Sequence, residues 1–289
     1  MTPNKDAIRA HLELFHAAAR VSRTVGTLVL VGYGEDPATG KTLPPRIKAF
    51  AIGDVFPMVQ QVMAWTVVRH CNVYLAPVVM RPNLPVNSRG GKKDIEKVFG
   101  LVGDYDDEDA AKWATRVPIQ PSVVLETSPG RFQTTFFLDP ALDPAQAEAL
   151  AHRLQATAQC DHGTGDIAHV WRIDGTLNWP NEKKAAAGRS PEPVLVRSLP
   201  EGSGKAVSVA ALSAALAPEK SKPVENRADG LKPLSADDET QLKRMFNSKH
   251  GDKIKKLYDG DWSEYPSQSE GDAAYCCHLA FWFAKDTER

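Results

Sequence analysis

The sequence predicts an α+β fold, with a largely antiparallel or mixed sheet over about the first 200 residues and a small all-helical domain after it. Three observations predict it. Short apolar runs such as TLVLV (27–31) and NVYLAPVVM (72–80) alternate with stretches of helical periodicity. SVVLET (122–127) and RFQTTFFL (131–138) flank the turn residues Pro129 and Gly130, which is a β-hairpin pattern. From Ser235 onward the pattern is helical throughout.

In order, residues 4–19 predict an amphipathic helix, because Ile8, Leu12 and Phe15 recur at i, i+4 and i+7. TLVLV predicts a buried strand and EDPATGKTLPP (35–45) a loop. MVQQVMAWTVV (58–68) has helical spacing, and 72–80 reads as one strand. RPNLPVNSRGGKKDIEK (81–97) is turn-rich, carries net charge +3, and is expected to be flexible. A strand over 98–105 runs into GDYDDED, and DEDAAKWATR predicts a short helix with an acidic first turn. Asp143 and Pro144 open a helix that reaches about Gln159. VLVRSL (194–199) reads as a closing strand. Residues 204–232 read as a short helix and linker between a domain over 1–203 and a helical one over 233–289. Within that last domain, 243–256 carries net charge +5, and Ser269 reads as an N-cap.

Of 289 residues, 42% are hydrophobic and 25% charged, which is ordinary for a soluble globular chain. A formal net charge of −1 names no polyanionic partner, so any nucleic-acid surface must be local. Cys71, Cys160, Cys276 and Cys277 form no C-x-x-C pair and read as reduced thiols of a cytoplasmic protein. Cys160 and His162 have no second ligand pair at zinc spacing. The N-terminus lacks the apolar core of a signal peptide, and no apolar run is long enough to span a bilayer.

The most informative stretch is Gly103–Asp109, GDYDDED, with five acids in seven residues directly after VFGLV. A calcium loop starting at Asp104 would need Gly at its sixth position and Glu at its twelfth, where Asp109 and Thr115 stand. Asp107, Glu108 and Asp109 suit a solvated helix start. Asp104 follows a buried run, where an unpaired carboxylate is costly. In a strand, Asp104 and Asp106 would share one face, and a divalent cation between them would remove their repulsion. A solvated turn is the alternative reading.

Downstream lie residue types suited to phosphate. Arg131 and Gln133, after Ser128-Pro129-Gly130, share a strand face, and a polar exposed strand is the alternative. Asp161 follows the 143–159 helix and could supply a third carboxylate, with Asp166 as competitor and a turn-capping role as alternative. WRIDGTLNWPNEKK (171–184) gathers Arg172, Asn178, Lys183 and Lys184, otherwise a basic surface loop.

In this order the motifs resemble the archaeo-eukaryotic primase superfamily, in its RepB-like plasmid and phage branch related to the primase-polymerases. The resemblance rests on Asp104-x-Asp106, SPGRFQ (128–133), Asp161, and Arg172 with Gly175, Thr176 and Asn178. It covers about residues 26–200. Gln133 stands where many relatives have His, and Asp174-Gly175 where many have Pro-Gly. The tail, with Ser269-Glu270-Gly271-Asp272, resembles a helical domain that follows such primase domains and helps hold template or initiating nucleotide. The sequence stops before that domain would end, so a longer protein is expected, with a helicase domain or partner. No G-x-x-x-x-G-K-[ST] motif occurs in this sequence.

The resemblance implies a mixed-sheet, RRM-like catalytic domain that makes primers on single-stranded DNA from nucleoside triphosphates. Asp104, Asp106 and Asp161 would be catalytic and hold two Mg²⁺ or Mn²⁺ ions. Ser128, Arg131, Gln133, Arg172, Asn178, Lys183 and Lys184 would bind the nucleotide. Arg89, Lys92, Lys93, Lys249, Lys253 and Lys256 would track the template. Two other classes fit the same residues: a non-catalytic single-strand-binding initiation protein, and a metal-dependent nuclease.

Overall fold

The structure, a computed structural model, describes residues 1–36, 39, 41–180, 192–217, 236–265 and 268–283. The chain divides into two compact units, Met1–Lys220 and Ser221–Arg289.

The first unit is α+β. Its strands are β1 (Thr27–Gly34), β2 (Arg46–Ala51), β3 (Cys71–Leu75), β4 (Val78–Met80), β5 (Ile95–Tyr105), β6 (Val123–Ser128) and β7 (Arg131–Leu142). Short ones follow: β8 (Trp171–Arg172), β9 (Leu177–Asn178), β10 (Val194–Leu195), β11 (Arg197–Ser198) and β12 (Val207–Ser208). The main sheet runs β11-β6-β7-β5-β4-β1-β3-β8, with β2 beside β1. Its pairings are antiparallel except for β12, which joins β7 in parallel.

Both faces are covered, so β1 has no polar side. Leu28 and Leu30 face helices α1 (Lys5–Val21) and α2 (Val55–Thr66). Val29 and Val31 join the core under α4 (Pro144–Ala158). In α1, Ile8, Leu12, Phe15 and Ala19 form the buried stripe, and Asn4 Oδ1 caps the helix by accepting from Asp6 N and Ala7 N. The Phe15 ring meets Phe99 and Phe137 edge-on at 5.9 and 5.2 Å. Removing such a side chain costs about 3–5 kcal/mol.

The structure alters several expectations. Residues 72–80 form two strands, because Pro77 has no N–H to donate and the chain breaks before Val78. Segment 81–94 is tied down: Arg81 pairs with Asp94 at 2.9 Å, and Arg89 Nη1 donates to the Ala168 carbonyl at 2.7 Å. The helix α5 (Val209–Ala215), expected in a connecting segment, belongs to the first unit. Leu212 and Leu216 bury against the sheet, and Arg153 donates to Ser213 and to the Ala217 carbonyl.

The second unit holds helices Ala236–Phe246, Gly251–Tyr258 and Gln268–Trp282. Met245 and Ile254 are buried, and Tyr258 stacks edge-on with Phe246 and Tyr275. Ser269 lies inside the last helix rather than capping it. No helix among the described residues is long and apolar enough to cross a membrane.

Two histidines of α1 point inward. His16 Nδ1 accepts from Gly53 N–H at 2.9 Å, and the His11 ring lies 4.8 Å from Phe15. Burial lowers both to about 4, with Arg20 adding to the effect at His16, while Asp174 opposes it at His11 and Asp54 at His16. The unfolded chain protonates them near 6.5, so it binds more protons between those values. Stability is therefore full above about pH 6.5 and falls as pH drops toward about 4. Calorimetry should show the melting temperature descending through this window, by about 2–4 °C per ~1 kcal/mol lost. His11→Phe should make the descent shallower.

Candidate active site

The site is built where β5 and β7 end together. Their register sets Asp104 opposite Gln133 and Tyr105 opposite Phe132. β5 stops at Tyr105, so Asp106 is the first residue past the strand rather than its continuation. Tyr105 is fully buried, and the Arg116 guanidinium lies 4.9 Å above its ring. Alternation along the strand then sends Asp104 the other way.

The second half of the acidic motif is bound by the protein's own arginines. Arg116 pairs with Asp107 at 2.9 Å and donates to the Ala158 carbonyl at 3.0 Å. Arg131 Nε meets Asp106 Oδ1 at 3.1 Å, and its Nη1 donates to the Asp107 carbonyl. Asp107, Glu108 and Asp109 form the turn before the short 3₁₀ segment Ala110–Lys112 and helix α3 (Trp113–Arg116), not the first turn of a helix.

Asp161 arrives from the other side. α4 ends at Gln159, whose left-handed φ of 51° turns the chain back toward β5. Asp161 N–H then donates to the Asp104 carbonyl at 2.9 Å, and Thr164 Oγ1 accepts from Asp104 N–H at 3.3 Å. Thr164 N–H closes the turn on the Asp161 carbonyl at 3.0 Å. The rival Asp166 is held elsewhere: it accepts from Ala168 N–H at 3.0 Å and lies 3.7 Å from Lys92.

These contacts gather negative charge. Burial raises Asp104 to about 6; the Gln133 hydrogen bond opposes the rise, Asp106 and Asp161 add to it, and Arg172 opposes it. Among the described residues, no three acidic, His or Cys side chains already form a metal-binding cluster. The donor chemistry nevertheless fits a hard divalent cation, which takes carboxylate oxygens. Asp104 carries the charge excess that such an ion would relieve.

Arg172 supplies the opposite charge. It sits in β8 opposite Tyr74, with its guanidinium 4.5 Å above that ring. Its Nη1 is buried and has no hydrogen-bond partner among the described residues. Burial lowers its pKa, against Tyr74, Asp104 and Asp106. A buried guanidinium with an unused N–H can donate to an anion.

The remaining sequence-selected residues separate. Ser128 ends β6 opposite Arg131, and Asn178 Nδ2 donates to the Thr127 carbonyl at 2.6 Å, tying β9 to β6. Gln133 is buried, with its side chain turned to Asp104 and Arg172. Lys183 and Lys184 lie outside the described residues. Arg89 is committed to Ala168, Lys92 pairs with Glu148, and Lys93 is exposed. In the second unit Lys249 is exposed, Lys253 lies 4.6 Å over the Tyr265 ring, and Lys256 pairs with Glu264 at 2.6 Å. Sequence reasoning missed Thr164 and Tyr74, whose roles depend on pairings far along the chain.

Gly175 holds the Arg172 segment against α1. Its carbonyl accepts from Asn4 N–H at 2.8 Å, and its φ is +76°. A Cβ there would stand 2.4 Å from the Asn4 carbonyl oxygen. Gly175→Ala should therefore cost at least ~2 kcal/mol in denaturant titration. Gly130→Ala is the comparison: φ is +72° with nothing within 4 Å of the added Cβ. It should cost only about 1 kcal/mol.

Residues 96–220 match the family model described as the RepB DNA-primase N-terminal domain. Among solved structures, the chain is similar to the AEP domain of the cyanophage S-2L primase-polymerase, at 15% identity and a TM-score of 0.51. That match covers 75% of this chain and 100% of the other. The catalytic domain of primase RepB′ in complex with initiator DNA matches at 17% identity and a TM-score of 0.42, covering 71% and 93% of the two chains. Primase RepB′ itself matches at 15% and 0.46, covering 95% and 93%. No curated protein matches the sequence. Residues 96–220 are thus similar to a RepB-type primase domain, and the chain shares the α+β fold of the cyanophage AEP domain.

Proposed function

We propose that the first unit is a working primase domain that joins nucleotides on a single-stranded DNA template. The observation that carries this reading is the backbone clasp between Asp104 and Asp161, 2.9 Å from N–H to carbonyl, together with the Arg172 Nη1 donor, which has no partner among the described residues. Asp106, Asp161 and Arg172 all act electrostatically on Asp104, which supports a role in transfer of a phosphate-bearing group.

Asp104, Asp106 and Asp161 would hold two Mg²⁺ or Mn²⁺ ions. Such ions, when bound, activate the attacking hydroxyl and stabilise charge on the leaving pyrophosphate. Arg172 offers Nη1 to a phosphate oxygen, and the Tyr74 ring beneath keeps the guanidinium plane fixed. Asn178 holds β9 against β6 and so steadies the segment that carries Arg172. Exposed Lys93 and Lys249, with Lys253, offer sequence-tolerant, salt-sensitive contacts to a template backbone.

The test is incorporation of labelled nucleotides on single-stranded DNA with Mn²⁺ or Mg²⁺. Asp104→Ala with Asp106→Ala should lower incorporation by about a hundredfold or more, and chelation with EDTA should stop it. Wild-type incorporation by the double variant would sink the reading. The Arg131–Asp106 ion pair favours a second reading, single-strand binding without synthesis. That reading predicts a strand affinity unchanged by EDTA, with no incorporation by the wild type.

A further inference from the structure

Gln133 lies on β7, directly opposite Asp104 on β5. It is only 7% exposed. Its side-chain amide serves two neighbours. Its Oε1 accepts from the Arg172 backbone N–H at 3.2 Å, and its side chain, set opposite Asp104 by the strand register, acts as a hydrogen-bonding group that holds down the rise of that carboxyl. The two neighbours demand different chemistry, because a backbone N–H needs an acceptor and a carboxylate needs a donor.

The bridge spans strands that are not neighbours in the sheet order. β8, which carries Arg172, pairs with β3 at the far edge of the sheet path, whereas β7 sits beside β5. Among the described residues, no backbone pairing joins β8 to β7. The Gln133 side chain makes that connection, between the strand pair bearing the carboxylate and the strand bearing the guanidinium.

We propose that Gln133 is a positioning residue for nucleotidyl transfer: it fixes the Asp104 carboxylate and the Arg172 segment relative to each other, and it does not contact the nucleotide. This rests on the reading that Asp104 helps hold a divalent ion. A neutral amide suits the task because it supplies donor and acceptor together at every pH. Glutamate, when ionised, could not donate to Asp104, and leucine could do neither. A neutral histidine could do both in one tautomer.

The experiment compares wild type, Gln133→Leu and Gln133→His in the whole chain. Three quantities are read: Mn²⁺ affinity by electron paramagnetic resonance without nucleotide or DNA, the kcat and nucleotide KM of incorporation, and hydrogen exchange at the Arg172 amide. Gln133→Leu should weaken Mn²⁺ binding by about tenfold or more, lower kcat, leave nucleotide KM within about twofold, and speed exchange at Arg172. Gln133→His should recover most of the Mn²⁺ affinity. Should Gln133→Leu not fold, Gln133→Asn keeps the amide, shortens its reach by one methylene, and carries the same expectation. Unchanged Mn²⁺ affinity, or a rise in nucleotide KM alone, would overturn the inference and place Gln133 against the nucleotide. A wild type that neither binds Mn²⁺ nor incorporates nucleotides would instead remove the primase reading and this inference with it.

Discussion

The arrangement depends on one backbone hydrogen bond, from Asp161 N–H to the Asp104 carbonyl. A strand end offers unpaired backbone groups, and burying them unpaired is costly. At the end of β5 the turn after α4 meets that demand, with Asp161 on one side of Asp104 and Thr164 on the other. Satisfying the backbone brings a second carboxylate to the first as a consequence of chain path. The left-handed Gln159 makes that path possible, because a helix continuing past Ala158 would carry Asp161 away from β5.

Charge around this clasp is divided rather than pooled. Arg116 and Arg131 take Asp107 and Asp106 at 2.9 and 3.1 Å, which quiets the outer half of the acidic motif. Asp104 receives a neutral amide and a more distant guanidinium, so burial leaves its carboxyl raised. The inner position therefore keeps the excess of negative charge, and Arg172 keeps a donor that no described residue uses. Both features are unfavourable in the isolated chain, as expected of groups arranged for a charged ligand. Asp106 sits between the two halves, since Arg131 holds it while it still adds to the field at Asp104.

Much of this was legible in the sequence where it rested on local rules. The helix of α1 follows from Ile8, Leu12 and Phe15, the β6–β7 hairpin from Pro129-Gly130 between apolar runs, and the α4 start from Asp143-Pro144. The end of the strand at residue 105 was legible too, but the shared strand face read for Asp104 and Asp106 needed the strand to run one residue further. β5 stops at Tyr105, where the Arg116 contact anchors the chain. The role of Gln133 was not legible, because it depends on β8 passing close to β7, a contact with a sequence separation of 39. For the same reason the Arg172–Tyr74 stack could not be read from either segment alone. The short helix expected within 204–232 is α5, but its burial was not legible, because an Ala- and Ser-rich composition hides the two leucines that pack it.

The basic residues show why counting charge overstates a nucleic-acid surface. The stretch 243–256 carries net charge +5, yet Lys255 pairs with Asp259 and Lys256 with Glu264. Arg89 and Lys92 are likewise committed, to a carbonyl and to Glu148. A lysine already paired on the surface can still exchange partners cheaply, since exposed ion pairs are worth only about 0–1 kcal/mol. An arginine donating into a partly buried carbonyl, as Arg89 does, gives up more to leave it. Phosphate contacts on this chain should therefore draw first on Lys93 and Lys249, next on the paired surface lysines, and least on Arg89, an order that a sum of charges along the sequence cannot give.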